Sequence, residues 1–340
     1  MTKKIKIAIN GFGRIGRTFF RQAFGHPELD FVAVNDLSST ATLAYLLRYD
    51  TVYGRYGKAV IADDHSLTVG DISIRHTAEK EPKNLPWKEL GVDVVVEATG
   101  FFTTSEKAKG HLEAGAKRVV ITAPAKGDVA TILVGTNDDR FTAKKCEISA
   151  NASCTTNATA PVLAILRETF GIEKVLMTTI HGYTATQKLV DGVDDKDPRR
   201  GRAAAQNIVP STTGAAEAVI QSIPEMAGMF DAVSVRVPTI TGSLTDTTAL
   251  LSTNVTIEEI NEAFKKAAVS SRWGKVLKTT SDPIVSSDVV GEPYGAIIDL
   301  SLTRVVGGNL IKVFSWYDNE WGYSATLLEH VLRVGRGMTA

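Results

Sequence analysis

A glycine-rich junction near the N-terminus constrains the fold more than any other feature of the sequence. Gly11, Gly13 and Gly16 form the pattern GFGRIG between an apolar run that predicts a strand, 4–10, and a segment that predicts a helix, 14–24. Glycines at such a junction let bare backbone approach a pyrophosphate, and the helix N-terminus favours its negative charge. The pattern therefore predicts a Rossmann-type dinucleotide site.

An acidic residue at the end of the next predicted strand supports this site. Asp36 lies about 20 residues beyond the last of these glycines, where a carboxylate hydrogen-bonds a ribose hydroxyl. A carboxylate repels a 2′-phosphate and so favours NAD over NADP. The small Ser38 and Ser39 leave room for NADP or for dual use.

The first half of the chain alternates strands with helices, which predicts a parallel sheet. Thr103 and Glu106 form a predicted capping box for a helix that Gly115 can end. The remaining predicted elements are a strand at 31–35, a helix at 41–48, a β-rich insert at 60–76, and strands at 92–97, 119–122 and 132–134.

The pattern changes from about residue 153. Most strands there follow one another without a crossover helix, which predicts an antiparallel or mixed sheet. Thr256 with Glu259 predicts a helix cap, and we expect the long polar segment 182–204 to be an ordered functional loop. The predicted helices are 155–170, about 256–271 and 324–333, and the predicted strands are 175–180, 232–237, 247–255, 297–303 and 310–316. The fold class is thus α/β, with an N-terminal Rossmann-type dinucleotide-binding domain and a second α+β domain.

Composition excludes several classes of protein. A chain of 340 residues exceeds the usual single core, so we expect two domains. Lys plus Arg and Asp plus Glu both number 38, so no net field attracts nucleic acid or anionic lipid, and we expect neither as a partner. No apolar run approaches the roughly 20 residues of a membrane-spanning helix. Asn10 and Gly11 interrupt the N-terminal apolar run too early for an export signal, so we expect a cytoplasmic protein.

Cys154 and His181 are the candidate chemical pair. Cys154 begins a predicted helix, where the positive end of the helix dipole lowers a thiol pKa, and an imidazolium lowers it further. His181 ends a predicted apolar strand, a rigid position from which a side chain can be aimed into a cleft. Either residue alone could be structural. Together they predict a thiolate nucleophile with its base.

For the other histidines and the second cysteine the sequence predicts no chemical role. We expect His26, His65, His76, His111 and His330 to be solvated, because they lie in turns or polar stretches. Cys146 is expected to be a small buried structural thiol. Two cysteines provide no disulfide framework, which fits a reducing compartment, and they predict no metal site because no histidine stands at ligand spacing.

Four motifs taken in order resemble one enzyme family. GFGRIG, SCTTN at 153–157, HGYTATQ at 181–187 and WYDNEWGYS at 316–324 closely resemble the phosphorylating glyceraldehyde-3-phosphate dehydrogenases, essentially along the whole chain. The resemblance implies an NAD-binding domain at 1–152, a catalytic domain at 153–319 and a last helix, 320–340, that packs back on the first domain. It also implies a homotetramer.

The resemblance further implies a reaction and a set of roles. Glyceraldehyde 3-phosphate would be oxidised by NAD with inorganic phosphate to 1,3-bisphosphoglycerate, through a hemithioacetal and a thioester on Cys154, with His181 as base. The implied cofactor residues are Gly11, Gly13, Arg14, Ile15, Gly16, Asp36, Thr99, Gly100, Thr122, Asn319 and Tyr323. The implied substrate and phosphate residues are Ser153, Thr155, Thr184, Thr186, Thr213, Gly214 and Arg236.

The chain departs from the family pattern in two places. Thr241 and Gly242 replace an Asn-Val pair, with a consequence that the sequence does not define. Loop 190–202 lacks the Leu-Pro of many NAD-specific members, which keeps NADP open, and its arginines could steer an anionic substrate or be merely solvated.

Two rival functions remain. One is erythrose-4-phosphate dehydrogenase, which uses water in place of phosphate and against which Thr213 and Gly214 argue. The other is a catalytically silent NAD sensor or binding protein, which the intact Cys154 and His181 disfavour.

Overall fold

Two compact units make up the structure, a computed structural model that describes residues 3–140 and 146–338. One unit comprises Met1–Ile132, Asp139–Ala152 and Leu327–Ala340, and the other comprises Leu133–Asp138 and Ser153–Thr326. This division differs from the expected domain limits in two places, because residues 133–138 and the first part of the last helix join the second unit. Residues 1–2, 141–145 and 339–340 of the expected NAD domain and last helix lie outside the described residues.

The first unit contains a nine-stranded sheet. The strands are β1 (Ile5–Asn10), β2 (Leu29–Asn35), β3 (Val60–Ala62), β4 (Ser66–Val69), β5 (Ile72–Thr77), β6 (Val94–Glu97), β7 (Arg118–Ile121), β8 (Ala130–Thr131) and β9 (Ile148–Ala150). Their order in the sheet is β3-β4-β5-β2-β1-β6-β7-β9-β8, and among the described residues only the pairs β3–β4 and β4–β5 are antiparallel. The helices are α1 (Arg14–Ala23), α2 (Thr40–Arg48), α3 (Trp87–Leu90) and α4 (Ser105–Glu113).

This sheet is covered on both faces, as its apolar strands predicted. Ile7 and Ile9 of β1 pack with Phe19 of α1 in one core cluster, whereas Ala8 packs with Trp87 in another. Because successive side chains of a strand point to opposite faces, both faces of β1 are buried. The second part of the last helix, from Leu327, contributes to the first of these clusters.

The second unit is built on a seven-stranded mixed sheet. The strands are β10 (Ile172–Gly182), β11 (Val209–Ser211), β12 (Phe230–Val237), β13 (Ser243–Leu251), β14 (Leu277–Thr280), β15 (Ala296–Val306) and β16 (Leu310–Tyr317). Their order in the sheet is β11-β12-β10-β13-β16-β15-β14. The helices are α5 (Cys154–Phe170), α6 (Ala215–Ser222) and α7 (Ile257–Ala268), which pack on this sheet, and α8 (Trp321–Arg336), which begins here. The predicted fold class is confirmed.

Local sequence signals succeed at some helix ends and fail at others. The capping box of Thr256 and Glu259 is present in both directions. The box predicted at Thr103 is wrong, because α4 begins one position later and the Thr104 hydroxyl accepts the Lys107 N–H at 3.3 Å. The strand predicted at 132–134 is also wrong. Its apolar residues enter a turn in which Leu133 N–H donates to Asn137 Oδ1 at 2.8 Å.

No helix within the described residues is both long enough and apolar enough to cross a membrane.

Candidate active site

The predicted glycines form a cradle at the start of α1. Gly11 has a φ of +92°, and a Cβ on it would lie 2.7 Å from the Thr99 nitrogen. A Cβ on Gly16 would lie 2.2 Å from the Gly11 carbonyl oxygen, so backbone packing excludes a side chain at both positions. Gly13, which caps α1, has open space around its Cβ position. These residues fit a pyrophosphate at the N-terminus of α1.

Asp36 lies beside the glycine cradle and lines the same cleft. Its Oδ2 accepts the Phe12 N–H and its Oδ1 accepts the Ser38 N–H, both at 2.9 Å. The cleft has a volume of about 440 Å³ and is also lined by Gly11, Gly13 and Thr99. The structure therefore brings these predicted cofactor residues together.

The remaining cofactor residues of the first unit have mixed surroundings. The Arg14 guanidinium pairs with Asp50, and Ile15 packs against the core. Gly100 has a φ of +75° with open space around it, and Thr122 donates its N–H to the Glu97 carbonyl at 3.0 Å. The Arg14 and Ile15 side chains thus make contacts within the protein, and their backbone forms the first turn of α1.

A buried polar network adjoins Thr99, which lines this cleft, and it was not predicted from the sequence. Glu97 ends β6, and its Oε1 accepts the Thr99 N–H at 2.9 Å. Its Oε2 lies 2.9 Å from His111 Nε2, and Trp87 Nε1 donates to His111 Nδ1 at 3.0 Å, so the His111 hydrogen is on Nε2. The expectation that His111 is solvated is wrong. The acidic end of an otherwise apolar VVVE strand is the one signal that pointed to this network.

The candidate nucleophile and base meet in the second unit. Cys154 is the first residue of α5, and the Ser153 hydroxyl caps the helix by accepting the Thr156 N–H at 3.1 Å. The Cys154 Sγ lies 3.4 Å from His181 Nε2. His181 Nδ1 lies 2.6 Å from the Gly182 carbonyl oxygen. A hydrogen on Nδ1 that donates to this oxygen leaves the Nε2 lone pair facing the thiol.

Burial shifts the pKa values of both members of this pair. Burial raises the pKa of the Cys154 thiol, against the Arg236 charge and the hydrogen bonds from Thr155, which lower it. Burial, followed by the charge of Arg236, lowers the pKa of His181 to about 3. Desolvation thus opposes the thiolate that the helix N-terminus favours, and it favours the neutral form of His181. A neutral imidazole is available to accept the thiol proton.

Arg236 lies against the base. β12 runs parallel to β10 with Arg236 opposite His181, and β12 is an interior strand rather than an edge strand. The Arg236 Nη1 lies 2.7 Å from His181 Nδ1 and donates to the Gly182 carbonyl at 3.2 Å. A cation therefore stands next to the pair, in a position to bind an anionic group of a substrate.

The other predicted substrate residues fall into two groups. The hydroxyls of Thr184 and Thr186 lie 2.9 Å apart just after β10. Thr213 accepts the Ala215 N–H at 3.2 Å, and Gly214 caps α6 with open space around it.

Thr155 differs from these residues because its hydroxyl lies in the core. It is 3.0 Å from the Tyr317 hydroxyl, which is also 2.8 Å from the Thr179 hydroxyl. The Tyr317 ring packs edge-on against His181 at 5.9 Å. Tyr317 was not predicted, although it lies in the WYDN motif.

Asn319 and Tyr323 lie around the start of α8. The Asn319 Oδ1 accepts a hydrogen bond from the Ser243 hydroxyl at 2.9 Å, and Tyr323 is buried.

Cys146 is only partly buried, which corrects the expectation of a small buried thiol. Within residues 3–140 and 146–338, no cluster of three or more His, Cys, Asp or Glu side chains could hold a metal ion.

The long loop after β10 is held by its own ion pairs. Arg202 Nε donates to Asp191 at 2.9 Å, and Arg199 Nε donates to Asp197 at 3.0 Å. A short 3₁₀ turn, Pro198–Gly201, contains Arg199 and directly precedes Arg202. Two of the three loop arginines that could steer an anion are thus engaged by carboxylates.

Comparisons with known proteins agree with this geometry. The family model described as "Glyceraldehyde 3-phosphate dehydrogenase, NAD binding domain" matches residues 5–105, and the one described as the C-terminal domain matches residues 153–319. Glyceraldehyde-3-phosphate dehydrogenase 2 of Bacillus subtilis (strain 168) is 48% identical over 335 residues, covering 98% of this chain and 98% of its own length. Glyceraldehyde-3-phosphate dehydrogenase of Mycolicibacterium smegmatis is 49% identical over 342 residues, covering 98% of this chain and 99% of its own length. With the glycine cradle, the thiol and its base in place, the chain belongs to the glyceraldehyde-3-phosphate dehydrogenase family.

Proposed function

We propose that this chain oxidises glyceraldehyde 3-phosphate with NAD and inorganic phosphate to 1,3-bisphosphoglycerate, through a thioester on Cys154. The observation that carries the proposal is the 3.4 Å contact between the Cys154 sulfur and His181 Nε2 at the start of α5. A thiol at a helix N-terminus with a neutral base in reach is the arrangement that covalent aldehyde chemistry requires.

The first step forms the covalent bond. The Cys154 sulfur bonds to the aldehyde carbon, and the thiol proton passes through His181 to the carbonyl oxygen, giving a hemithioacetal. Negative charge that develops on this oxygen is stabilised by His181 and by the N-terminus of α5. Arg236 binds the substrate phosphate, which places the aldehyde carbon next to the sulfur.

The second step is the oxidation. His181 removes the hemithioacetal hydroxyl proton as hydride leaves the carbon, and the carbonyl re-forms as a thioester. NAD, when bound, accepts the hydride. A phosphate oxygen then attacks the thioester carbon, the C–S bond breaks, and Cys154 leaves as a thiolate that regains its proton from His181. Thr213 and Gly214 are proposed to bind this phosphate, since Gly214 opens the N-terminus of α6.

A homotetramer and a cytoplasmic location are further parts of the proposal. Leu176 of β10 is 70% exposed, Val233 of β12 is 54% exposed, and Val306 of β15 is 64% exposed. Exposed apolar side chains on one sheet favour burial against other copies of the chain. The two unpaired cysteines fit a reducing compartment. Native mass spectrometry tests the assembly, and a monomer at micromolar concentration contradicts it.

The activity is tested by following NAD reduction with glyceraldehyde 3-phosphate, with and without inorganic phosphate. We expect sustained reduction that needs phosphate, abolished in Cys154→Ser and retained in the matched Cys146→Ser variant. Sustained reduction without phosphate supports the erythrose-4-phosphate type of reaction instead. Absence of any reduction contradicts the enzyme assignment and favours the silent NAD-binding protein. Parallel rates with NADP test the cofactor choice, and we expect NAD to be preferred.

A further inference from the structure

Two hydroxyl groups hold the amide of Asn319. Ser243 Oγ donates to Asn319 Oδ1 at 2.9 Å, and Thr241 Oγ1 lies 3.2 Å from the same oxygen. All three side chains are buried, at 1%, 3% and 5% exposure for Ser243, Thr241 and Asn319. We refer to Thr241 and Ser243 as the hydroxyl pair.

Each member of the hydroxyl pair is itself fixed by a neighbour. Ser243 Oγ accepts the Gly182 N–H at 3.2 Å, which ties it to the end of β10 directly after His181. Thr241 Oγ1 also donates to Asp318 Oδ1 at 3.1 Å. Asp318 is fully buried and accepts three backbone N–H groups, from Gly291, Glu320 and Trp321, each at 2.9 Å. The pair is therefore attached to rigid parts of the second unit.

These contacts determine which way the Asn319 amide faces. Because Ser243 Oγ already accepts the Gly182 N–H, its own hydrogen is available for Asn319 Oδ1. Thr241 shares its single hydrogen between two oxygens, as a three-centre bond. Both contacts engage the amide oxygen, and within the part of the chain that the structure describes no hydrogen bond of the protein engages the amide NH₂ group. The amide NH₂ group of Asn319 can thus donate two hydrogen bonds to a ligand.

The glycine between the two hydroxyl residues is required by the same turn. Gly242 has a φ of +88°, and a Cβ on it would lie 2.3 Å from the Ser286 carbonyl oxygen. A side chain is excluded both by the backbone conformation and by this close approach. Thr241 and Gly242, which replace an Asn-Val pair of the family pattern, thus form one local arrangement with Ser243 beside Asn319.

We propose that Thr241 and Ser243 are positioning residues that orient the Asn319 amide, so that its NH₂ group binds the carboxamide oxygen of the nicotinamide. This inference rests on the proposed function and on the cofactor role that the family resemblance implies for Asn319. It assigns to the unusual Thr241 a share in the affinity for the nicotinamide end of NAD and none in the affinity for the ADP-ribose part.

The test is calorimetric binding of NAD and of ADP-ribose to the full chain. Thr241→Val and Ser243→Ala should each weaken NAD binding about threefold to tenfold, as for the loss of one hydrogen bond, and leave ADP-ribose binding unchanged. Thr241→Ser keeps the hydroxyl and should restore NAD affinity.

The same sheet offers matched controls. Thr247 of β13 and Ser315 of β16 have buried hydroxyls for which the structure gives no hydrogen-bond partner. Thr247→Val and Ser315→Ala change the same atoms and should leave NAD affinity intact.

The possible outcomes separate this inference from the proposed function. If Asn319→Ala binds NAD normally, the cofactor role of Asn319 is wrong. If Asn319→Ala weakens NAD binding while Thr241→Val and Ser243→Ala do not, the role of the hydroxyl pair is wrong. Equal weakening of NAD and ADP-ribose in the hydroxyl variants, or equal weakening in the controls, shows a merely structural effect and also overturns it.

Discussion

At Cys154 two physical effects act on one sulfur in opposite directions. The N-terminus of α5 and Arg236 favour the thiolate, but burial raises the pKa of the thiol more strongly. Burial also lowers the pKa of His181 to about 3, so the histidine is a neutral base rather than an imidazolium. We therefore propose that the nucleophile forms by proton transfer from Cys154 to His181 when substrate arrives. The sequence predicted both partners from their places at a helix start and a strand end, but their charge states depend on burial by distant residues.

Replacement of His181 by asparagine tests its proposed role as the base. In His181→Asn we expect turnover to fall by about 10²- to 10⁴-fold, because the thiol proton has no acceptor. Alkylation of Cys154 by iodoacetamide should slow as well, while alkylation of Cys146 in the same molecule should not. Peptide mass spectrometry measures both sites at once.

The matched control for this variant is His65→Asn, since His65 is exposed. Unchanged turnover and unchanged Cys154 alkylation in His181→Asn would contradict the assignment of the base.

At the scale of secondary-structure elements, periodicity predicted the alternation of strands and helices, because apolar residues on a repeating face need a core. The exact ends of elements, and one short predicted strand, were missed. α4 starts after Thr104 rather than Thr103, and the apolar residues 132–134 form a turn rather than a strand. Buried histidines were also missed, because the partners that satisfy His111 come from α3 and β6 rather than from its own helix.

The position of the α4 cap is directly testable. Thr104→Ala should lower the free energy of unfolding by about 1 kcal/mol, because the Lys107 N–H loses its acceptor. Thr103→Ala should change it by less than about 0.5 kcal/mol. Urea unfolding of the two variants measures the difference, and a larger cost at Thr103 would restore the sequence-based cap.

At the scale of the whole molecule, each unit uses strand direction to gather its site. In the first unit, parallel β1, β2 and β6 end together, which places Asn10, Asn35 and Glu97 at one edge of the sheet. In the second unit, the parallel pair β10 and β12 ends with His181 beside Arg236. The sequence predicted both sheets, but the pairing of β10 with β12 joins segments far apart in the chain and has no local signal.

We expect a buried histidine of α8, His330, to make the stability of the molecule depend on pH. His330 Nε2 lies 3.0 Å from the Ser149 hydroxyl, and burial, with the charge of Arg333, lowers the pKa of His330 to about 3. In the unfolded chain His330 takes up a proton near pH 6.5, whereas in the folded chain it stays neutral down to about pH 3. The contribution of His330 to stability is therefore fully present above pH 6.5 and is lost as the pH falls toward 3. Between pH 7 and 5 we expect His330 to account for a loss of about 1–2 kcal/mol.

Urea unfolding of His330→Gln at the two pH values measures this dependence. The variant should lose less stability between pH 7 and 5 than the unmodified chain, whatever its absolute stability. If the variant and the unmodified chain lose the same stability between pH 7 and 5, His330 is not neutral in the folded chain.

The proposed oxidation passes through a thioester on Cys154. To detect this thioester, the enzyme is mixed with NAD and glyceraldehyde 3-phosphate in the absence of inorganic phosphate, followed by rapid quenching and peptide mass spectrometry. We expect one burst of NADH, equal in amount to the active sites, with a phosphoglyceroyl group on Cys154 that added phosphate discharges. A burst without an adduct on Cys154, or NADH formation that continues at full rate without phosphate, would overturn the thioester mechanism.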